Sequence, residues 1–307
     1  MQLGMRWKNQ VLLIELRFRV SHIAVIQTPT ENYYLVKEIN GQYFELAGLK
    51  SLSDALKLHL SDFRKIYEAA GSKEIKGKLV APVAADSEVW GAGVTYQRSR
   101  DARKEESDIP DVYQLVYEAD RPELFFKATA RRTVGHEAEV GIREDALTSV
   151  PEPEVAIVIN KFAELIGMSI CNDMTSRNIE GENPLYLSQA KIYYGSNSVG
   201  PMIRPIWEIV DHDKLGIYAK IERSGSIIWQ AETSLKSLNR SFEDLIDYLF
   251  RCQHFPVGVL LSTGTGIVPP LDISLLSGDV ITITVDQIGT LINKVVTTPL
   301  DINDRIK

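Results

Sequence analysis

Two glutamates stand directly before an apolar stretch, at a spacing that suits cation binding. Glu152 and Glu154 lie two residues apart, and residues 155–159 read Val-Ala-Ile-Val-Ile, which is typical of a buried strand. Because side chains alternate along a strand, the two carboxylates point to the same face, a few ångströms apart. Two carboxylates at that distance repel each other unless a positive charge lies between them. The pattern indicates either a cation site or a pair of carboxylates at an exposed strand end.

A third carboxylate follows in the next apolar stretch. Residues 166–171 form a second strand-like run that ends on Asn172 and Asp173. If the two runs pair as a hairpin, Asp173 returns to the level of Glu152 or Glu154. Three carboxylates without a His or Cys ligand form an all-oxygen set, which favours a hard cation. We therefore predict a Mg²⁺ site at Glu152, Glu154 and Asp173, with Mn²⁺ or Ca²⁺ as alternatives and with positions left for water or a chelating substrate.

Four short motifs, taken in order, resemble the fumarylacetoacetate hydrolase (FAH) family. They are Pro-Glu-Pro-Glu at 151–154, Asn-Asp-Met-Thr-Ser-Arg at 172–177, Gln-Ala-Lys at 189–191 and Ser-Val-Gly-Pro at 198–201. In that family the Glu-x-Glu pair and the aspartate hold Mg²⁺, and the lysine contacts the chelated 2-oxo acid. The resemblance implies that Glu152, Glu154 and Asp173 are metal ligands. It also implies that Lys191 is both a catalytic and a substrate-binding residue.

Residues 93–99 resemble the opening motif of the family but lack its histidine. The family has Gly-x-Asn-Tyr and a histidine three residues beyond the tyrosine, whereas Thr95-Tyr96 stand for Asn-Tyr here and Ser99 occupies the histidine position. Carbon–carbon hydrolases of the family use this histidine, paired with an acid, to activate water. Serine cannot take that role near neutral pH. A hydrolase would need another histidine, and His136 is the nearest in sequence.

Three arginines follow in a charged segment, and residues 101–119 are predicted to form a helical flap. Arg98, Arg100 and Arg103 suit contacts with hydroxyl or carboxylate groups of a substrate. The alternative is a solvated amphipathic helix, because acidic residues are interspersed among them, and this alternative applies least to Arg100. We predict Tyr96, Ser99 and Arg100 as substrate-binding residues.

A loop near the end of the chain also resembles the family. Residues 262–266 read Ser-Thr-Gly-Thr-Gly, where the family has Thr-Gly-Thr-Pro and its second threonine touches the substrate carboxylate. Gly266 replaces that proline. The resemblance implies that Thr265 binds the substrate.

Glu123 is the candidate general base outside the metal site. It follows Pro122 and precedes Leu-Phe-Phe-Lys, where the family has a Pro-x-x-Phe-x-Lys strand. The alternative is an exposed glutamate at the start of a strand. Together with Trp90-Gly91 and residues 191–195, the segment 121–123 is most similar to the branch of 2-keto-3-deoxy-D-arabinonate dehydratases.

Composition excludes several classes of partner. A net charge of −7, with no basic block and no interleaving of aromatic and basic residues, makes nucleic acid an unsuitable partner. Charged residues directly follow the apolar residues 12–14 and keep the apolar run short, so neither a signal peptide nor a membrane span is expected. We predict a cytoplasmic protein whose partner is a small 2-oxo acid.

The chain of 307 residues can form one large or two modest domains. Three apolar runs at 11–18, 23–26 and 33–36 predict a small meander, and residues 51–70 predict one helix with a capping box at Ser51. We predict a small N-terminal accessory α+β domain, 1–78, and an FAH-like catalytic domain, 79–307. The resemblance implies a mainly β (α+β) fold with a C-terminal β-roll, and a homodimer or higher homo-oligomer.

These features lead to one functional prediction and two alternatives. The prediction is a Mg²⁺-dependent dehydratase (lyase) that converts a 2-keto-3-deoxy-pentonate, such as arabinonate, to a 2,5-dioxo acid (2-oxoglutarate semialdehyde). Glu123 would remove the C3 proton, and Lys191 would place positive charge beside the forming enolate. The first alternative, an acylpyruvate or diketo-acid C–C hydrolase, lacks the expected histidine. The second, a non-catalytic 2-oxo acid binding protein, leaves the four matched site positions unexplained.

Overall fold

A computed structural model describes residues 20–71, 73–106 and 111–299 and shows a mainly β protein, as predicted. The strands of these ranges are β1 (Ser21–Gln27), β2 (Tyr33–Ile39), β3 (Gln42–Glu45), β4 (Lys78–Leu79), β5 (Glu88–Gly93), β6 (Glu123–Thr129), β7 (Thr133–Val134), β8 (Glu139–Arg143), β9 (Ser149–Val150), β10 (Pro153–Ile159), β11 (Leu165–Asp173), β12 (Thr175–Ser176), β13 (Asn197–Pro205), β14 (Gly216–Arg223), β15 (Ser226–Ser234), β16 (Val259–Thr265), β17 (Val280–Val285) and β18 (Gly289–Thr298).

The helices of the same ranges are short and lie between the strands. They are α1 (Leu52–Leu56), α2 (Leu60–Glu68), α3 (Gln97–Glu106), α4 (Asp111–Glu118), α5 (Arg177–Glu182), α6 (Leu187–Lys191) and α7 (Phe242–Phe250). Of the helices described, none is both long and apolar enough to cross a lipid bilayer.

The larger sheet carries the site on its central strands. Its order is β3-β2-β1-β13-β11-β10-β16-β5-β6, with β4 paired to β1 and β7 paired to β13. The predicted hairpin is confirmed, because β10 and β11 pair antiparallel with Pro153 opposite Asn172 and Glu154 opposite Cys171. Strand β5 lies parallel to β16 and antiparallel to β6. Residues of β5, β6, β10, β11 and β16 line one common pocket.

Strand β10 is buried on both faces, which explains its continuous apolar sequence. Val155, Ile157 and Ile159 belong to a core shared with the smaller sheet, whose order is β15-β14-β17-β18-β8. Ala156 and Val158 belong to a second core shared with α1 and α2. Each fully buried Val or Ile stabilises the fold by roughly 1.5–3 kcal/mol. The strand next to the site is therefore held from both sides.

The N-terminal elements extend the larger sheet. Ile23 of β1 pairs with Ile203 of β13, and β4 pairs with β1 at the predicted domain boundary. Strands β1 and β2 correspond to the predicted runs 23–26 and 33–36, and β3, which was not predicted, completes a meander with them. The predicted run 11–18 lies outside the described residues. The division at residue 78 stays a prediction, since a continuous sheet is compatible with one or two folding units.

The prediction of one helix over residues 51–70 is wrong. The capping box at Ser51 does begin α1, but the chain leaves the helix after Leu56 and starts again at Leu60. The turn between β10 and β11 forms hydrogen bonds with the segment that connects α1 to α2. Asn160 Nδ2 donates to Leu58 O at 2.9 Å, and Leu60 N donates to Glu164 Oε2 at 2.8 Å. These contacts satisfy backbone groups that a continuous helix would have paired internally.

Candidate active site

Three carboxylates converge where β10 and β11 meet. Glu152, Glu154 and Asp173 each offer an oxygen, and these atoms lie within 4.8 Å of one another. All three residues are buried, and Asp173 N donates to Glu152 O at 3.0 Å, which locks the two chain segments together. The ligand set consists only of carboxylate oxygens, which suits Mg²⁺ or a similar hard cation. The predicted grouping of these three residues is therefore present in the fold.

Glu152 is surrounded by positive and polar donors. Its Oε1 accepts from Arg103 Nη2 at 2.5 Å and from Thr175 Oγ1 at 3.0 Å, and its Oε2 accepts from Lys191 Nζ at 2.8 Å. Burial alone would raise the pKa of Glu152, but Arg103 and Lys191 outweigh it and hold the pKa well below its usual range. Glu152 is therefore a negatively charged ligand candidate even before a cation binds.

Glu154 has the opposite electrostatic surroundings. Its Oε2 accepts hydrogen bonds from Ser262 Oγ and from Gly264 N, and both donors are neutral. Burial raises the pKa of Glu154, and the nearby carboxylates of Asp173 and Glu152 raise it further. Negative charge at Glu154 is thus incompletely compensated by the protein. A divalent cation held between the three carboxylates would supply the missing positive charge.

Two buried lysines complete the polar cluster. Lys191, at the end of α6, donates to Glu152 Oε2 at 2.8 Å, to Asp173 Oδ2 at 2.9 Å and to Thr175 Oγ1 at 2.8 Å. Lys127 of β6 is fully buried and forms an ion pair with Asp173 Oδ1. Its Nζ also donates to Met174 O at 3.0 Å and to Lys191 O at 2.6 Å. Lys127 therefore anchors both a ligand candidate and the backbone that carries Lys191.

The sequence motif contains Lys127 but indicates no role for it. Replacing Lys127 tests whether it anchors Asp173 and the backbone of Lys191. Lys127→Met keeps the length of the side chain but leaves Asp173 and two carbonyl oxygens without this donor. Breaking a buried ion pair in this way typically costs about 3–5 kcal/mol. Urea unfolding of the metal-free protein should show this loss. Lys220→Met removes the partner of Glu222 in a half-exposed pair and should cost under ~1 kcal/mol. Equal losses in both variants would exclude an anchoring role for Lys127.

Glu123 lies in the same pocket as the three carboxylates. It is the first residue of β6 and stands opposite Gly93 at the end of β5. Its side chain is partly exposed toward the pocket, and burial in the surrounding protein raises the pKa of its carboxyl group, although Arg103 and Lys191 oppose this. A carboxyl group with a raised pKa is better suited to proton transfer near neutral pH than a solvated one.

The walls of the pocket come from five strands, from the flap and from the segment that contains α5 and α6. Its lining residues are Ala92, Gly93, Val94, Ser99, Arg103, Tyr113, Glu123, Phe125, Glu152, Glu154, Asp173, Glu180, Pro184, Leu187, Lys191, Gly264 and Thr265. The predicted helical flap is present as α3 and α4, of which Ser99, Arg103 and Tyr113 reach the pocket. Phe125 and Leu187 add apolar surface to the lining, and the Phe125 ring lies 5.7 Å from Lys191 Nζ.

Three of the five predicted substrate-binding residues line this pocket, and two do not. Lys191, Ser99 and Thr265 are lining residues. Ser99 Oγ donates to Tyr96 O at 2.9 Å, so it also fixes the first turn of α3. Tyr96 is buried behind the pocket, where a Cβ atom on Gly266 would lie 2.7 Å from its ring. Arg100 also lies outside the pocket, so the substrate contacts expected of Tyr96 and Arg100 stay predictions.

Arg103, rather than Arg100, is the arginine that reaches the carboxylates. Arg100 donates to Asp101 at 2.7 and 2.8 Å, and its guanidinium lies over the ring of Tyr117. Arg103 forms ion pairs with Glu152 and with Glu180 of α5. Residues four apart share one face of a helix, so the spacing from Ser99 to Arg103 was the sequence signal that could have identified it. No comparable signal pointed to Glu180.

Histidine is not a component of this pocket. None of the five histidines of the chain, all of which lie in the described ranges, is among its lining residues. His136 lines a separate cavity of about 530 Å³. Its Nδ1 accepts a hydrogen bond from Ile292 N at 3.2 Å, so this nitrogen is occupied by the backbone. The pocket therefore lacks the histidine that a carbon–carbon hydrolase of the family would need to activate water.

Comparison with known proteins agrees with this geometry. Residues 88–296 match the model of the fumarylacetoacetate (FAA) hydrolase C-terminal family. The chain therefore belongs to the fumarylacetoacetate hydrolase family.

Two relatives with more than 40% identity are named as dehydratases of sugar acids. The chain is 45% identical over 216 residues to a probable 2-keto-3-deoxyxylonate dehydratase of Haloferax volcanii, an alignment that covers 70% of this chain and 74% of the relative. It is 41% identical over 212 residues to the 2-dehydro-3-deoxy-D-arabinonate dehydratase of Saccharolobus solfataricus, covering 68% and 71% of the two chains.

A solved structure extends the likeness to the whole fold. It is a 2-keto-3-deoxy-D-arabinonate dehydratase complexed with magnesium and 2,5-dioxopentanoate. The likeness has a TM-score of 0.78 and 31% sequence identity, and covers 91% of this chain and 99% of that one. The N-terminal elements are therefore part of the shared architecture.

Proposed function

We propose that this protein is a Mg²⁺-dependent dehydratase that converts a 2-keto-3-deoxy-pentonate to a 2,5-dioxo acid. The observation that carries the proposal is a pocket in which three cation-binding carboxylates lie beside Lys191 and Glu123 and in which no histidine is present. The names of the two archaeal relatives and the ligands of the solved dehydratase support the same substrate class.

Glu152, Glu154 and Asp173 are the residues that would hold the cation. A hard cation held by these residues would supply a positive charge that stabilises the negative charge developing when the C3 proton is removed. Lys127 and Arg103 keep Asp173 and Glu152 in place by direct ion pairs. The protein itself thus fixes the ligand oxygens before the cation arrives.

Glu123 is the proposed general base. It lines the pocket next to the charged cluster but is not one of the three carboxylates that could hold the cation, so its carboxylate stays available for proton transfer. Glu123 would take the C3 proton, and the C4 hydroxyl group would leave as water with one proton. In the resulting C3=C4 product, moving one proton from C5 to C3 gives a C4=C5 enol, and moving the hydroxyl proton of that enol to C4 gives the aldehyde of the 2,5-dioxo acid. The reaction releases one water and needs no oxidant or reductant.

Lys191 and the flap would bind the rest of the substrate. The Lys191 ammonium lies between two carboxylates of the cluster, where it adds positive charge beside a chelated 2-oxo acid. Ser99 and Thr265 face the pocket and are proposed contacts for hydroxyl and carboxylate oxygens. We add Arg103 to this group, because its guanidinium forms part of the pocket wall.

An assay of product identity tests the proposal. Purified protein with Mg²⁺ should convert 2-keto-3-deoxy-arabinonate or its xylonate isomer to 2,5-dioxopentanoate, which NMR can detect. Chelation of the metal should stop the reaction. Acylpyruvates should remain intact, because their cleavage needs an activated water and the pocket has no histidine to activate it. Cleavage of acylpyruvate without dehydration of either sugar acid would contradict the proposal and favour the hydrolase. Binding without turnover of any of them would favour a binding protein.

Residues 1–78 are proposed to form an accessory domain and residues 79–307 the catalytic domain. All pocket residues lie between Ala92 and Thr265, which supports an accessory role for residues 1–78. We propose that the protein acts in the cytoplasm as a homodimer or higher homo-oligomer. Sedimentation of the purified protein as a monomer at micromolar concentration would refute the oligomer.

A further inference from the structure

Gly93 lies beneath the carboxylate of Glu123. The two residues stand opposite each other in the antiparallel pair of β5 and β6, and both line the pocket. A Cβ atom placed on Gly93 would lie 2.0 Å from Glu123 Oε2 and 2.6 Å from Glu123 Cδ. The carboxylate of Glu123 therefore occupies the space that the missing side chain of Gly93 leaves free.

The closest conflicts of such a Cβ atom are all with one flexible side chain. The three atoms nearest to it all belong to Glu123. Gly93 is not among the residues with left-handed backbone conformation, so alanine fits its backbone. Because non-bonded heavy atoms settle about 3.5 Å apart, the carboxylate would have to move by more than ~1 Å. The strand pairing need not change.

We propose that Gly93 is a positioning residue, whose lack of a side chain sets where the Glu123 carboxylate stands in the pocket. This inference rests on the proposed function, in which Glu123 removes the C3 proton. A general base must lie within hydrogen-bond reach of the proton that it takes. A misplacement of about 1 Å can cost on the order of 10²-fold in rate. Gly93 thus acts on the reaction through Glu123 and not by contact with the substrate.

Gly93→Ala tests the proposal by separating turnover from folding and binding. We expect kcat to fall on the order of 10²-fold, while KM and the calorimetric affinity for Mg²⁺ stay within about twofold of wild type. The thermal midpoint should equal or exceed that of wild type, because alanine restricts the unfolded chain. Gly71→Ala is the matched control, since a Cβ atom there meets nothing closer than 4.0 Å, and it should turn over as wild type does.

A second background shows whether the effect passes through Glu123. Glu123→Asp withdraws the carboxylate by one methylene group, so adding Gly93→Ala to it should cost less than about threefold further, against roughly 10²-fold in the wild-type background. Equal losses in both backgrounds, wild-type turnover in Gly93→Ala or a lowered midpoint in that variant would each overturn the proposal. Wild-type turnover in Glu123→Gln would instead refute the proposed base, independently of the result at Gly93.

Discussion

Replacement of Glu154 by glutamine should abolish Mg²⁺ binding and Mg²⁺-dependent turnover while leaving the metal-free protein folded. The direct hydrogen bonds to Glu154 come from neutral donors, Ser262 Oγ and Gly264 N, and glutamine offers the same acceptor oxygen. Burial and the carboxylates of Asp173 and Glu152 raise the pKa of Glu154, so its charge contributes little to the metal-free fold. A hard cation, in contrast, depends strongly on that charge.

Thermal unfolding with and without Mg²⁺ separates the two effects. In wild type, Mg²⁺ at a hundred times its Kd should add about 2.7 kcal/mol to the free energy of unfolding. Glu154→Gln should show no such gain, and calorimetric titration should detect no binding. Glu139→Gln makes the same chemical change at an exposed position of β8 and should respond as wild type. If Mg²⁺ stabilised Glu154→Gln as much as wild type, Glu154 would not be a ligand.

Glu123→Gln should lower turnover on the order of 10²–10⁴-fold without loss of Mg²⁺ binding. Glutamine keeps the shape of the side chain and its contact over Gly93 but replaces the basic carboxylate by an amide, which does not accept a proton near neutral pH. Glu123 is not one of the three clustered carboxylates, so calorimetry should return a wild-type affinity for Mg²⁺. The loss should therefore fall on the chemical step.

The reaction in deuterated water gives the most direct measurement. Wild type should incorporate deuterium at C3 and release water, and Glu123→Gln should lose both activities together. His136→Ala is the informative control, because a hydrolase reading would make it essential, whereas the structure places His136 in another cavity with Nδ1 bound to Ile292 N. Loss of turnover in His136→Ala together with near wild-type turnover in Glu123→Gln would reverse the assignment of the base.

Local sequence was sufficient to predict the cluster of three carboxylates. Glu152 and Glu154 stand two apart at the start of a β-branched run, and strand alternation places such residues on one face. The hairpin of β10 and β11 was also predictable, because two apolar runs joined by a short link pair antiparallel, which returns Asp173 to the glutamates. Grouping these residues needed only short-range geometry and one tight connection.

The helical segments were harder to assign because tertiary contacts override local preference. The apolar period over residues 51–70 is helical throughout, yet contacts from the turn at Asn160 and Glu164 divide it into α1 and α2. In the flap, the sequence favoured Arg100 over Arg103 as a substrate-binding residue, because the charge pattern does not reveal which face of the helix packs against the rest of the protein. The phase of a helix against its neighbours is set by packing.

The sequence by itself thus determined the hairpin of β10 and β11, the three clustered carboxylates and the loss of the family histidine at Ser99. Only the tertiary structure decided which cations accompany those carboxylates. Lys127 and Asp173 are 46 residues apart and lie on β6 and β11, which three other strands separate in the order of the sheet, yet their side chains form an ion pair. The contact of Gly93 with Glu123 likewise depends on the register of β5 and β6. Strand order and register come from long-range pairing, which no local spacing encodes.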